Sequence, residues 1–127
     1  MTTVENHINP NGHQVIGKGW GSEEWIINSE KYCGKILRIH KDKKTSWHYH
    51  KLKDEVMYVH VGCVKILYGF NEDINHLNTK EIILNEGQSF HVEVGLIHQI
   101  IGLENSQVFE FSTQHFDEDS YRLIQGD

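Results

Sequence analysis

The stretch from Trp47 to Gly62, WHYHKLKDEVMYVHVG, restricts the fold of this chain more than any other. In an extended chain, side chains at i and i+2 point the same way. His48 and His50 therefore face one side of a strand, and Trp47 and Tyr49 face the other. Lys51 to Asp54 reads as a short polar turn. Glu55 opens a second strand, and if the two strands pair as neighbours it returns to the mouth where the histidines sit. Two imidazoles and a carboxylate converging on one point suit a divalent transition metal.

The rest of the chain accommodates such a site. Its 127 residues suit one domain around one core. A formal net charge of −6 argues against a nucleic-acid or anionic-membrane partner, since both favour a basic face. No apolar run reaches the roughly 20 residues that a membrane helix needs. Met1 to Pro10 is polar and has no apolar signal-peptide core, so a cytoplasmic location is expected. Cys33 and Cys63 make no disulfide framework and read as reduced core thiols.

Along the chain, residues 1–24 read as an N-terminal arm and 25–127 as the folded barrel. Gly17 to Gly21 reads as a loop with Trp20 as an apolar anchor. Strands are expected at Trp25 to Asn28, Gly34 to His40, Thr45 to His50, Glu55 to Val61 and Cys63 to Gly69. More follow at Lys80 to Leu84, Ser89 to Val92, Ile97 to Ile101 and Gln107 to Thr113, with a last extended piece at Ser120 to Ile124. Gly87 falls where a turn needs positive φ. Apart from a short stretch near the end, no segment keeps a helical period over three turns. Many short strands with frequent turns indicate an all-β barrel or sandwich.

A second constellation is GQSFHVEVGLIH, Gly87 to His98. It reads as turn, strand, tight turn at Glu93 to Gly95, and a strand opening near His98. In a two-sheet barrel that strand can bring His98 opposite the His48/His50 pair. Three imidazoles and one carboxylate leave a metal position open to water or substrate, unlike the closed, cysteine-rich sites that only hold structure.

His48-x-His50-x4-Glu55-x6-Gly62 resembles the first cupin motif, and Gly87-x5-Glu93-x-Gly95-x2-His98 resembles the second. Glu93 stands where that family usually has proline, and Gly102 where it often has asparagine. The resemblance implies a double-stranded β-helix, or jelly-roll barrel, in one domain. It implies one divalent metal ion (Mn, Zn, Fe, Ni or Co) held by His48, His50, Glu55 and His98, and a homodimer. Trp20-Gly21, Lys35 to Ile39 and the tail Ser112 to Arg122 are similar to the cupin domain of type II phosphomannose isomerases. That likeness implies a sugar or sugar-phosphate isomerase, with a small-molecule ligand such as a sugar phosphate.

Aldose–ketose isomerisation suits a divalent metal that holds two vicinal oxygens, with a base near neutral pKa beside it. Arg38 could hold a phosphate or carboxylate bidentately, or could equally form a surface salt bridge. His91 aligns with a cavity-lining position and could be an acid or base; the plainer role is a hydrogen-bonded barrel residue. Glu110 stands out between Phe109 and Phe111, and reads as an outward residue on a strand whose phenylalanines fill the core. Asp117 to Asp119 reads as a solvated turn. Trp47, Tyr49 and Tyr58 should pack on the far side of the sheet, while Met57, Val59 and Ile100 form an apolar floor. Two other classes fit the same ligands: an iron-dependent dioxygenase or lyase, and a non-catalytic small-molecule-binding cupin. Fold alone does not choose among them.

Overall fold

Alternating burial along several of its strands decides how this chain closes on itself. Residues 12–127 are described by a computed structural model. Among them run eleven strands: β1 (Gln14–Lys18), β2 (Gly21–Asn28), β3 (Cys33–Ile39), β4 (Trp47–Tyr49), β5 (Glu55–Val61), β6 (Cys63–Gly69), β7 (Lys80–Asn85), β8 (Ser89–Val92), β9 (Ile97–Gly102), β10 (Ser106–Ser112) and β11 (Tyr121–Ile124). In β3, every second residue from Cys33 to Ile39 is buried, and in β5 the buried set is Glu55, Met57 and Val59. This period-two pattern leaves each sheet one apolar face, and two such faces bury each other.

Two antiparallel sheets result. One has the order β1-β2-β3-β10-β5-β8, the other β11-β4-β9-β6-β7. Leu37, Ile39, Met57, Val59, Val64, Ile66, Ile100 and Val108 pack in one core cluster. The expected apolar floor of Met57, Val59 and Ile100 is part of it. No helix among the described residues is long and apolar enough to cross a membrane. The only helical element described is a single 3-10 turn at Asp117–Asp119.

The N-terminal region departs from expectation. The strand expected at Trp25 to Asn28 begins at Gly21, and β1 pairs with it from Gln14 to Lys18. Residues 14–18 and 21–24 of the expected arm are thus in the sheet, and the Gly17 to Gly21 loop shrinks to a tight turn at Gly19 and Trp20. Pairing across strands overrides a sequence that lacks local periodicity. Residues 1–11 of the expected arm, with His7, lie outside the described residues.

A second departure concerns the key stretch itself. β4 and β5 are not neighbours but belong to different sheets. Glu55 therefore reaches the histidines across the barrel rather than along a hairpin. His98 is not opposite His48 but directly beside it, paired in register between β9 and β4.

Glycines make two of these close passages possible. Gly62 alone joins β5 to β6, with φ at +90°, and a Cβ there would meet Ser106 Oγ and the Asn105 carbonyl. Gly87 has φ at +84°, as its turn position requires. At Gly102, a Cβ would lie 2.5 Å from the His40 carbonyl oxygen. That close approach accounts for glycine where the resemblance leads one to look for asparagine.

Candidate metal centre

β4 is only three residues long, yet it sets the site. His48 projects from it toward the barrel interior. Trp47, on the opposite face, is fully buried and donates its Nε1–H to the Glu72 carbonyl at 2.9 Å. Tyr49 stacks on Tyr121 outside, with ring centroids 5.1 Å apart. The expected parity of Trp47, Tyr49 and the histidines therefore holds. One potential ligand nitrogen from each of His48, His50 and His98 lies within 4.8 Å of the other two. Glu55 Oε1 lies 3.0 Å from His98 Nε2 and 3.9 Å from His50 Nε2.

The protonation pattern of this cluster follows from its backbone partners. His48 Nδ1 is 2.9 Å from the Ser46 carbonyl, His50 Nδ1 3.0 Å from the Asp119 carbonyl, and His98 Nδ1 3.0 Å from the Leu96 carbonyl. A carbonyl only accepts, so each Nδ1 carries the proton and donates it. In a neutral imidazole each Nε2 is then a bare lone pair. His50 Nε2, His98 Nε2 and Glu55 Oε1 are buried and satisfied by no hydrogen bond, while Glu55 Oε2 faces the Lys53 ammonium at 3.0 Å. Lone pairs gathered with no donor among them are costly unless a cation sits between them. Orienting the far ring nitrogen through a carbonyl is also how metal-ligating histidines are usually held. The residues present fit a divalent metal on both counts.

Burial favours neutral imidazoles at His48 and His50. Burial holds His48 well below the ordinary histidine range, and the neighbouring rings of His98 and His50 push it further down. Burial, then the Lys53 ammonium, lowers His50 to about 4. Burial, the largest single effect, would raise Glu55, but the Lys53 ammonium together with the neighbouring His98 and His50 outweighs it and holds the carboxyl well below its usual range.

Lys53 is the residue that sequence reasoning missed. It lies in the expected polar turn, yet only 3% of its side chain is exposed. Its Nζ sits 3.0 Å from Glu55 Oε2 and 2.9 Å from Glu110 Oε2. Burial would lower its pKa, but Glu110 and Glu55 together raise it, so it stays charged. Lys53 thus engages one Glu55 oxygen and leaves Oε1 facing the imidazoles. The reading of Glu110 as outward is overturned: Glu110 is 4% exposed and points inward, while Phe111 is 55% exposed. The phenylalanine parity on β10 is the reverse of that expected, because a buried ammonium needs a countercharge.

Asp119 corrects a second reading. It is not in a solvated turn but is 3% exposed. Its carboxylate accepts the backbone N–H groups of Lys51, Leu52 and Lys53 at 2.9 to 3.2 Å, and its own carbonyl orients His50. Asp117 is solvated, with 90% of its side chain exposed, and it pairs with His115, whose Nδ1 lies 3.3 Å from Lys53 Nζ. Cys33 is buried as expected, whereas Cys63 is only half-buried, on the outward parity of β6.

The two residues considered for catalysis lie apart from this cluster. Arg38 is on the outward face of β3 and pairs with Glu24 at 3.0 Å. His91 also has outward parity, between the inward Phe90 and Val92, and pairs with Asp54 at 2.6 Å. It does border a cavity of about 540 Å³ at the barrel rim, lined also by Tyr68, His76, Lys80, Phe90 and Leu96.

No family model matches this sequence, and no curated protein matches it. Solved structures do. CapF from Staphylococcus aureus, described as a capsular polysaccharide assembling protein, superposes with a TM-score of 0.73 at 18% identity over 88% of this chain. Oxalate decarboxylase from Bacillus subtilis gives 0.73 at 17% identity over 89%. This chain spans about a third of each of those proteins, 34% and 30%. KdgF from Halomonas sp. gives 0.70 at 17% identity, covering 87% of this chain and 94% of its own. Strand order, burial pattern and these likenesses together give the chain the cupin fold, one double-stranded β-helix in a single domain.

Proposed function

We propose that the chain is a metal-dependent isomerase of a sugar or sugar phosphate, with one divalent metal held by His48, His50, His98 and Glu55. The observation that carries the metal part is the buried set of unsatisfied acceptors, His50 Nε2, His98 Nε2 and Glu55 Oε1. A divalent ion bound there supplies Lewis-acid polarisation of a carbonyl and a neighbouring hydroxyl. The chain's own residues do the rest. The three carbonyl-tethered imidazoles present lone pairs without reorganising, and Lys53 fixes the tilt of Glu55. The core beneath the site excludes water from the barrel floor.

The polar rim supports a sugar. The rim cavity carries Asn71, His76, Asn78 and Lys80 beside the aromatic faces of Tyr68 and Phe90, a mixture suited to hydroxyl-rich ligands. The likeness of the tail to phosphomannose isomerases points the same way. The apolar floor of Met57, Val59 and Ile100 favours the second reading, an iron-dependent dioxygenase or lyase. One neighbour is named for decarboxylating oxalate and another for assembling capsular polysaccharide, so the fold accommodates either.

Metal-loaded protein incubated with mannose 6-phosphate in deuterated water tests the isomerase. Deuterium appearing at C1 of the ketose product, or at C2 of recovered mannose 6-phosphate, and lost in His98→Ala, supports it. Oxygen consumption by the iron-loaded form, with no exchange at either carbon in any metal form, would replace it with the second reading. A cytoplasmic homodimer remains part of this proposal. The apolar outer surface formed by Ile27, Ile36, Phe109 and Phe111 supports the dimer, and light scattering tests it.

A further inference from the structure

One cross-strand row runs through the candidate metal centre from edge to edge of its sheet. Arg122 on β11 pairs with His48 on β4, His48 with His98 on β9, His98 with Tyr68 on β6, and Tyr68 with Lys80 on β7. Residues directly opposite on adjacent strands point to the same face. Parity confirms the side: Tyr121 and Tyr49 stack outside, so Arg122 shares the inward face with His48. The row thus reads guanidinium, imidazole, imidazole, phenol, ammonium.

Arg122 stands out within this row. The chain has only two arginines, in a protein of net charge −6. Arg38 is committed to Glu24. Arg122 is exposed, and its guanidinium has no ion-pair partner among the described residues. It lies one strand spacing, about 5 Å, from His48. His48 is half-buried, whereas His50, His98 and Glu55 are buried, so the cluster opens on the side that Arg122 borders. An unpaired guanidinium at the open edge of a metal centre is a fork-shaped receptor for a carboxylate or phosphate. Lys80, about 10 Å from His98 across two strand spacings, is a point charge farther out.

We propose that Arg122 is the specificity-determining residue of this site and that its ligand is a small organic anion. The ligand's carboxylate or phosphate would sit on Arg122 while its hydroxyls face the His48/His98 side. This inference rests on the metal-centre reading and adds the charge of the ligand to it. It also separates recognition from the metal: removing Arg122 loses the anion and leaves the ion in place.

The test uses cobalt(II)-loaded protein and three non-reacting probes: mannitol, mannitol 1-phosphate and gluconate. Affinities are read by calorimetry and by the cobalt absorption spectrum. Wild type is expected to bind at least one of the two anions about tenfold or more tightly than mannitol. The two anionic arms distinguish phosphate from carboxylate. In Arg122→Met that preference disappears, with mannitol affinity and the ligand-free cobalt spectrum unchanged. No anion preference in wild type, a preference that survives Arg122→Met, or one abolished instead by Lys80→Met would each overturn the proposal. If the protein takes up no cobalt, the metal reading fails by itself. The same titrations on metal-free protein then still decide whether Arg122 selects anions.

Discussion

At the residue scale, Lys53 is the side chain on which the candidate site turns. Its ammonium is buried between two carboxylates, one of them the Glu55 that faces the imidazoles. Removing a single member of a buried charged group leaves the others uncompensated, which typically costs about 3–5 kcal/mol. Lys53→Met alone is therefore expected to destabilise the fold by about that much in denaturant titrations. Adding Glu110→Gln to it should restore a large part of the loss, because the second unpaired charge goes too. If the double variant is no more stable than Lys53→Met, Lys53 and Glu110 are not coupled as described.

None of this was visible in the sequence, and the reason is physical. Lys53 sits in a short, mostly charged stretch, Lys51 to Asp54, that looks like any solvated turn. What buries it is the contact with Glu110, 57 residues away. Glu110 was conspicuous between two phenylalanines, but alternation alone leaves the parity of the strand free. Register with β3 and β5 turns Glu110 inward. The metal-type residues were legible for the opposite reason: His48-x-His50 is a local spacing, and strand geometry converts it into a shared face.

At the scale of elements, the C-terminal tail forms the outer wall of the site. Asp119, in the 3-10 turn, fastens the β4–β5 connection through three backbone N–H groups and orients His50 through its carbonyl. β11 then brings Arg122 beside His48. Asp119→Ala is expected to cost about 1–3 kcal/mol, since buried N–H donors lose their acceptor. It should also weaken divalent metal binding about tenfold or more, as loss of the groups that hold a ligand generally does. Thermal unfolding with and without metal reads both effects. Unchanged metal affinity would show that the tail only closes the barrel. Sequence patterns predicted the strands well where turns and alternation are local. They failed for the pairing partners of β4 and β5, because connectivity between two sheets is decided by which apolar faces bury each other.

At the scale of the whole molecule, pH tests the electrostatics of the centre. In the unfolded chain His50 takes up a proton near 6.5, and in the folded, metal-free protein only near 4. Between those values the unfolded state binds more protons, so stability is present above about 6.5 and is lost as pH falls toward 4. His50 alone contributes about 3 kcal/mol across that window. His48, also lowered, adds to the loss in the same direction. Chemical denaturation of metal-free wild type from pH 7 to pH 4 should show this decline. His50→Gln should flatten it, and an equally steep decline in His50→Gln would place its source elsewhere.

The central claim is that this barrel holds one divalent metal through His48, His50, His98 and Glu55. Elemental analysis of protein purified without added metal, beside its His98→Ala variant, tests it most directly. The account predicts close to one transition-metal ion per wild-type chain and loss of most of it in the variant. A wild-type chain that carries no metal and takes none up on titration would contradict it.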